Sequence, residues 1–333
     1  MRRRATAASV ALLCVGVAVM AAMSLAIGSG DVPVPRVLAI VTGQASGTVE
    51  ASIVLQQRLP RTCVAIIAGS ALGVAGALSQ SLTRNPLAEP GTLGVSSGAS
   101  LALVVSLLLL PGLSIGAQLG FAMVGAAASG AVVLAIGGVM SGRTSTVRLV
   151  LAGAAWSALA SALTQYCLLG NPRTFESFRY WHAGSVGSRP WELILVCAVV
   201  VFLGIVAVWP LAGALDALSL GDDLGRSLGA RSRETWAFTG VIVIALTSSA
   251  TALTGPLAFL GLAAPQLVRW VTGPKTLSLT LGAAVVGGAM LLGLDVAGRV
   301  LLPPREVSAG VMCGLVGAPV FIAVARRARA VWS

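Results

Sequence analysis

Charge is scarce in this chain. Only 10% of its 333 residues are Asp, Glu, Lys or Arg, against about 25% in an average soluble domain. No polar stretch is long enough to build a soluble domain, and 56% of the residues are hydrophobic. These absences exclude a soluble globular protein. They indicate a single polytopic membrane domain over residues 1–333.

Residues that carry enzymatic or metal-binding chemistry are also few. The one histidine, His182, has no second histidine or cysteine near it in the sequence. The five cysteines form no Cys-x-x-Cys pair and lie within or beside apolar runs, which is typical of packing residues. We therefore predict no metal site and no membrane-embedded enzyme. The cysteines are Cys14, Cys63, Cys167, Cys197 and Cys313.

Motifs for energy coupling are absent as well. A phosphate loop needs a lysine directly after glycine, but the only lysine, Lys275, follows Pro274. The chain is therefore predicted to hold no ATP and no other cofactor. None of the 11 acidic residues lies centrally in an apolar run, which disfavours an ion-coupled secondary transporter. That class stays as the alternative.

Ten apolar runs follow one another along the chain, and most are close to the about 20 residues that cross a bilayer as a helix. Backbone groups inside a bilayer must be hydrogen-bonded internally, so such runs form helices. The sequence predicts an all-α fold of about ten transmembrane helices. The first run exceeds the core of a signal peptide and is predicted to remain as a span. The runs are 5–29, 62–82, 93–113, 117–140, 149–169, 193–213, 236–254, 257–268, 277–294 and 307–325.

The basic residues are divided unevenly between the two sides of the membrane. If the first span runs outward, fourteen of the 22 lysines and arginines fall on inner connections and eight on outer ones. The positive-inside bias then places both termini in the cytoplasm. Anionic lipid headgroups and an acidic partner account for the net charge of +11, so no nucleic acid partner is predicted.

Two short segments in opposite halves of the chain are alike: PLAEPG at 86–91 and PLAFLG at 256–261. They follow an even and an odd number of predicted crossings, so they would face opposite sides of the membrane. Inverted repeats of this kind are common in transporters. We predict a first repeat at about 58–190 and a second at about 228–325, with a chance match of six residues as the alternative.

The stretch 58–100, RLPRTCVAIIAGSALGVAGALSQSLTRNPLAEPGTLGVSSGAS, has the form of a family signature, and six further segments match in the expected order. Over about residues 7–325 the chain resembles the FecCD-type permease subunits of ATP-binding cassette importers for ferric siderophores, haem and cobalamin. The further segments are LVLAG (149–153), YWHAGS (180–185), LGDDLGRSLGA (220–230), GPLAFLGLAAPQLVR (255–269), GAAVVGGAMLLGLDVAGR (282–299) and REVSAGVMCGLVGAPVF (305–321).

The resemblance implies a permease of the bacterial plasma membrane that pairs with a second permease subunit, either identical or related. It implies delivery of the substrate by an extracytoplasmic binding protein. It also implies that a separate pair of cytoplasmic ATPase subunits holds ATP and magnesium and drives transport. Ferric siderophores are the commonest cargo of the family, and haem and cobalamin are the alternatives.

A polar inner connection, 216–234, is the predicted coupling loop. Its leucines alternate with charges, and glycines recur every four residues, which permits close backbone approach. By the resemblance, it forms short helices that dock on the ATPase; a solvated loop is the alternative. Gly225 stands where alanine is usual. The predicted coupling residues are Leu220, Gly221, Asp222, Asp223, Gly225, Leu228 and Gly229.

Arginines mark the predicted outer surface. Arg58 and Arg61 lie three residues apart at the mouth of the second span, and Arg299 ends the ninth. In the family, arginines at such positions pair with glutamates of the binding protein, which implies docking here. Anchoring at the lipid interface is the alternative, and Asp295, one turn before Arg299, is a possible internal partner.

The stretch RNPLAEPG (84–91) contains two residues that precede proline and are therefore disfavoured in a helix. By the resemblance, it forms part of an inner gate. Asn85 and Leu87 would face the pathway, opposite Thr146 and Val147. A purely structural turn is the alternative. Gln266 stands where the family often has histidine, so no role that needs a titrating histidine is predicted there.

Overall fold

The computed structural model describes residues 16–27, 32–44, 48–139, 145–227, 231–302 and 305–332. Within these ranges the regular structure is helical, and the one β pairing is an isolated bridge between Leu302 and Arg305. The helices are α1 (Gly16–Ala26), α2 (Val34–Val41), α3 (Val49–Ser52), α4 (Leu59–Thr83), α5 (Val95–Leu109), α6 (Ile115–Ile136), α7 (Thr146–Leu169), α8 (Pro172–His182), α9 (Trp191–Ser219), α10 (Asp222–Ser227), α11 (Ser232–Thr254), α12 (Leu260–Thr272), α13 (Thr276–Val300) and α14 (Ala309–Trp332).

Ten of these helices coincide with the ten predicted runs, namely α1, α4 to α7, α9 and α11 to α14. Among the described residues, six continuous helical segments are long and apolar enough to cross a membrane by themselves. The predicted short span at 257–268 is α12, which has 13 residues. The prediction of an all-α, polytopic membrane fold is therefore confirmed.

The second span begins earlier than predicted. The prediction started at residue 62, because Arg58 and Arg61 interrupt the apolar run. In the structure, α3 continues through a π-helical turn at Ile53–Arg58 into α4 without a break. The helix accommodates both arginines because their guanidinium groups have hydrogen-bond partners on other helices.

The connection between α7 and α9, which carries His182, contains the helix α8. The Asn171 Oδ1 atom accepts a hydrogen bond from the Thr174 backbone N–H at 3.2 Å, and Pro172 takes the first helical position. Both features favour a helix start. Phe178 and Trp181 are buried, so α8 lies with an apolar face against the bundle.

The two central helices are α4 and α11. In their apolar stretches, 78% and 72% of the residues are buried, against 22% in α7. Glycine permits close contact around α4: a Cβ atom on Gly69 would lie 2.3 Å from the Gly287 carbonyl oxygen of α13. A Cβ atom on Gly76 would lie 1.7 Å from the Gly261 oxygen of α12. Small residues that let backbones meet are typical of helix contacts in membranes.

Helix contacts in the two halves correspond. Helix α4 packs on α13, and α11 packs on α6. Helices α5 and α6 contact each other as α12 and α13 do, while α4 and α11 meet at the centre. A pseudo-two-fold relation would produce these pairs, but the repeat boundaries stay a prediction.

Candidate functional site

The connection between α4 and α5 and the start of α7 enclose a cavity of about 190 Å³, the inner cavity. Of the predicted gate residues, Asn85, Leu87 and Thr146 line this cavity. Val147 is not part of the lining and is 68% exposed. The opposite wall is apolar and includes Val243 of α11. The structure thus brings three of the four gate residues together, and the gating role stays a prediction.

The connection that lines the inner cavity has a defined turn structure. Helix α4 ends at Arg84, whose φ of 53° is left-handed. The Asn85 Oδ1 atom accepts a hydrogen bond from the Leu87 N–H at 2.9 Å, which is an Asx turn. The Asn85 carbonyl accepts one from the Ala88 N–H at 3.1 Å. Asn85 therefore organises the turn and lines the cavity at the same time.

Two glutamines from different helices hold this turn in place. The Gln266 Nε2 atom of α12 donates to the Pro86 carbonyl at 2.7 Å and to the Gln80 Oε1 atom at 3.4 Å. The Arg269 Nη2 atom donates to the same Gln80 oxygen at 3.2 Å. Gln80 and Gln266 are both buried, and a buried amide is stable only when it is paired. Gln266 thus acts as a hydrogen-bond donor, for which histidine is not needed.

The two PLA segments meet each other in the fold. The Glu89 Oε1 atom accepts a hydrogen bond from the Phe259 backbone N–H at 2.7 Å. Glu89 and Phe259 occupy the same position in PLAEPG and PLAFLG. Burial raises the pKa of the Glu89 carboxyl, and the hydrogen bond from Phe259 opposes that rise. Phe259 has a left-handed φ of 67°, a conformation that is uncommon for a bulky residue.

The predicted coupling loop contains the short helix α10, which follows α9 after a turn at Gly221 with φ of 117°. Leu220 and Leu224 are 62% and 60% exposed and offer apolar surface at the end of the bundle. Gly225 is buried, and a Cβ atom there would lie 2.9 Å from Leu218 Cδ2. Alanine at this position would require the end of the Leu218 side chain to shift. Leu228 and Gly229 lie outside the described residues, as do the side chains of Asp222 and Asp223.

The coupling segment is tied to α13 by Asp216, which sequence reasoning did not single out. Its Oδ1 atom accepts hydrogen bonds from the Thr276 N–H at 2.9 Å and the Thr276 hydroxyl at 2.6 Å. Asp216 thus satisfies an amide of the first turn of α13 from a different helix. The only sequence signal was an acidic residue near the end of a long apolar run.

The three outer arginines lie together in an outer arginine cluster, which consists of Arg58, Arg61, Arg299, Asp295 and Glu306. Arg61 forms a bidentate ion pair with Asp295, with Nη2 to Oδ1 at 2.8 Å and Nε to Oδ2 at 3.0 Å. Its Nη1 atom contacts the Glu306 Oε2 atom at 2.7 Å. Arg299 also pairs with Asp295, which confirms the predicted internal partner.

The same cluster holds the end of α1. The Arg58 Nη1 atom donates to the Leu25 and Ala26 carbonyls at 2.8 and 3.0 Å. Arg299 donates to the Ser24 and Ile27 carbonyls at 3.0 and 3.1 Å. Cations near the last carbonyls of a helix are stabilising. Arg58 is 4% exposed and Arg299 is 7% exposed, so each has a structural role. Docking of a binding protein stays a prediction for all three arginines.

No group of three or more His, Cys, Asp or Glu side chains in the described part of the chain could hold a metal ion. His182 ends α8 and stacks on Phe178 with ring centroids 4.9 Å apart. Desolvation by burial lowers the pKa of His182, so its ring is neutral at pH 7. Four of the cysteines, Cys63, Cys167, Cys197 and Cys313, are free thiols, and Cys14 lies outside the described residues.

Comparison with known proteins gives close matches over nearly the whole chain. The model of the FecCD transport family matches residues 15–327. The chain is 40% identical over 309 residues to the ferric enterobactin transport system permease protein FepD of Escherichia coli K12, which covers 92% of this chain and 91% of that protein. It is 31% identical over 322 residues to the iron(3+)-hydroxamate import system permease protein FhuB of Bacillus subtilis 168, which covers 97% and 83%.

A solved structure is similar as well. An inward-facing conformation of a metal-chelate type ABC transporter superposes with a TM-score of 0.82 at 26% identity, covering 96% of this chain and 98% of the solved chain. The Fe(3+) dicitrate transport system permease protein FecD of E. coli K12 is 33% identical over 298 residues, covering 90% of this chain and 92% of that protein.

Proposed function

Because the chain belongs to the FecCD transport family, we propose that it is the transmembrane permease subunit of an ATP-binding cassette importer for ferric-siderophore complexes. The observation that carries the proposal is the set of similar proteins. Relatives at 31 to 40% identity are named for ferric enterobactin, ferric hydroxamates and ferric dicitrate. These cargoes share a ferric ion enclosed by oxygen ligands.

The permease is proposed to work with three kinds of partner. A cytoplasmic ATPase pair supplies the energy, since the sequence has no phosphate loop. An extracytoplasmic binding protein delivers the chelate, and a second permease subunit completes the pathway. The chain itself is not an enzyme and holds no cofactor. It lies in the bacterial plasma membrane with both termini in the cytoplasm.

The contacts at the inner end offer a route from the ATPase to the gate. Leu220 and Leu224 present the apolar surface on which an ATPase would dock. Asp216 links this segment to the start of α13, and α13 packs along α4. Helix α4 leads directly into the connection that lines the inner cavity. A displacement of α10 would therefore reach the predicted gate through packed helices rather than through a flexible loop.

Transport by the reconstituted complex tests this function. The permease, its ATPase and its binding protein would be placed in liposomes, and uptake of radioactive iron would be followed with catecholate, hydroxamate and citrate chelates. We expect ATP-dependent uptake of at least one ferric chelate and no uptake of cobalamin or haem. ATP-independent uptake driven by an ion gradient, or uptake of cobalamin or haem alone, would refute the proposal.

A further inference from the structure

A second cavity, of about 180 Å³, lies between α5, α7 and α8, and we name it the outer polar cavity. Its lining differs from that of the inner cavity because hydroxyl and amide groups dominate it. No charged side chain lines it. Phe178 contributes an aromatic wall beside His182. The polar lining consists of Ser96, Ser97, Ser100, Ser161, Thr164, Gln165 and His182.

The serine hydroxyls of this cavity have no protein partner among the described residues. Serine and threonine inside a helix usually bond to a carbonyl of the preceding turn. Thr164 does so with Ala160 at 2.7 Å, and Ser106 does so with Leu103 at 2.8 Å. Ser100 is only 6% exposed, yet its hydroxyl makes no such bond and borders the cavity. The Ser100 oxygen is not one of the buried, unpaired side-chain atoms of the described residues, so it is open to the cavity and available to a ligand or to water.

Helix α7 lines both cavities. On α7, the inner cavity ends at Val150 and the outer polar cavity begins at Ser161, about 16 Å apart at 1.5 Å per residue. Between these two positions of α7, a Cβ atom on Gly153 would lie 1.9 Å from the Thr92 oxygen, and Trp156 donates a hydrogen bond to Ser129. The part of α7 between the two cavities is therefore closely packed against the connection before α5 and against α6.

The lining selects a class of ligand. Hydroxyl, amide and neutral imidazole groups donate hydrogen bonds to oxygen atoms without adding a full charge. Transport requires sites that bind well enough to admit a substrate and weakly enough to release it. The cavity of about 180 Å³ is smaller than the about 300–1,000 Å³ of pockets that enclose a drug-sized ligand, so it has room for one arm of a chelate rather than a whole one.

We propose that the outer polar cavity is a subsite for an oxygen-bearing arm of the ferric chelate, with Ser97, Ser100 and Ser161 as its hydrogen-bond donors. The proposal rests on the proposed function, because it takes the ferric chelate as cargo. It assigns recognition of the chelate to neutral hydroxyls of α5 and α7, from the buried Ser100 to the exposed Ser161. The arginines at the outer surface are not part of this subsite.

Uptake by serine variants tests the subsite. The triple variant Ser97→Ala, Ser100→Ala, Ser161→Ala removes three donors, and Ser106→Ala is the matched control because it removes a hydroxyl from α5 outside the cavity. For the chelate that the wild type transports, we expect the apparent KM of the triple variant to rise by at least about tenfold, which corresponds to about 1.4 kcal/mol. The KM of the control and the rate of ATP hydrolysis should not change.

A labelling experiment gives a readout that does not depend on transport. Ser161→Cys would be made in a chain whose native cysteines are replaced by alanine, and its reaction with a water-soluble maleimide would be timed. Ferric chelate at ten times its Kd should slow labelling about tenfold, while cobalamin should not slow it.

The outcomes separate the two proposals. If the wild type takes up a ferric chelate, and the triple variant keeps its KM or the chelate leaves labelling of Ser161→Cys unchanged, the subsite is refuted and the transport function stands. If the triple variant does not assemble, the labelling result alone decides. If the wild type takes up no ferric chelate, the proposed function fails, and the subsite fails with it.

Discussion

The outer arginine cluster and the turn beneath the inner cavity satisfy their polar groups by opposite means. The outer cluster uses ion pairs and helix-end carbonyls around three arginines. The inner turn uses mainly glutamine amides and backbone groups, with one hydrogen bond donated by Arg269 and one accepted by Glu89. A charged pair inside protein is costly to separate, whereas a single neutral hydrogen bond contributes only about 0.5–1.5 kcal/mol. The ion pairs of the outer arginine cluster therefore hold its helices together strongly, whereas the weaker hydrogen bonds of the inner turn allow its contacts to be replaced.

The largest expected effect concerns Asp295. Replacement of Asp295 by asparagine leaves the buried Arg299 without its ion pair and removes the bidentate contact of Arg61. Loss of one partner of a buried pair costs about 3–5 kcal/mol, so we expect a large fall in the melting temperature of the purified permease. Glu306→Gln is the control, because this partly exposed pair with Arg61 should contribute only about 0–1 kcal/mol. Equal melting temperatures for both variants would contradict the buried network.

A smaller effect is expected at the inner turn. Gln266→Leu leaves the Pro86 carbonyl without its donor, which should lower the free energy of unfolding by about 1–3 kcal/mol. Gln266→His keeps a ring N–H donor and should retain most of that stability. Thermal unfolding of both variants in detergent measures the difference. If the histidine variant is no more stable than the leucine variant, the hydrogen bond to Pro86 is not what holds the turn.

Docking should respond to Glu306 in the opposite direction from stability. Glu306 occupies one edge of the Arg61 guanidinium, and an acidic partner would compete for the same group. Glu306→Gln should therefore speed association of the binding protein a few-fold at low salt, with a smaller gain at high salt. Stopped-flow association at two ionic strengths measures this. An association rate that is unchanged, or that increases equally at both ionic strengths, would argue against docking at Arg61.

The smallest effect concerns pH and Glu89. Because burial raises the pKa of this carboxyl above its ordinary 4.5, the folded state favours the neutral form. That stability is fully present below the ordinary pKa and is lost as the pH rises through the raised value. The melting temperature of the wild type should therefore fall relative to Glu89→Gln as the pH rises above 4.5. If Glu89 were not buried, the difference in melting temperature between the wild type and Glu89→Gln would not change with pH.

Most of the fold was predictable because the bilayer imposes it. A run of about 20 uncharged residues must form a helix whatever surrounds it, and each of the ten runs contains a helix in the part of the chain that the structure describes. The boundary at α4 was wrong because charge was taken to end a span. Arg58 and Arg61 lie within a continuous helix, because a backbone carbonyl of α1 and the Asp295 carboxylate of α13 accept hydrogen bonds from their guanidinium groups. Helix α8 was missed because its apolar face is short.

The candidate site was predictable in part. Asn85, Leu87 and Thr146 were named from resemblance, and the structure places them around one cavity. Gln80 and Gln266 were visible as polar residues near the ends of apolar runs, but 186 residues separate them. Asp216 gave a weaker signal still. Partners so far apart in sequence leave no periodic pattern from which to predict them.

The sequence by itself determined the helical class, the succession of apolar helices and the family, because these depend on the length of apolar runs and on ordered motifs. Only the tertiary structure decided which polar groups satisfy one another. Arg61 meets Asp295 across 234 residues, and Glu89 meets Phe259 across 170. The physical reason is that these pairs form only where packed helices bring their backbones close, as glycine permits between α4 and α13. An arginine or glutamate in the sequence does not show which distant residue it contacts in the fold.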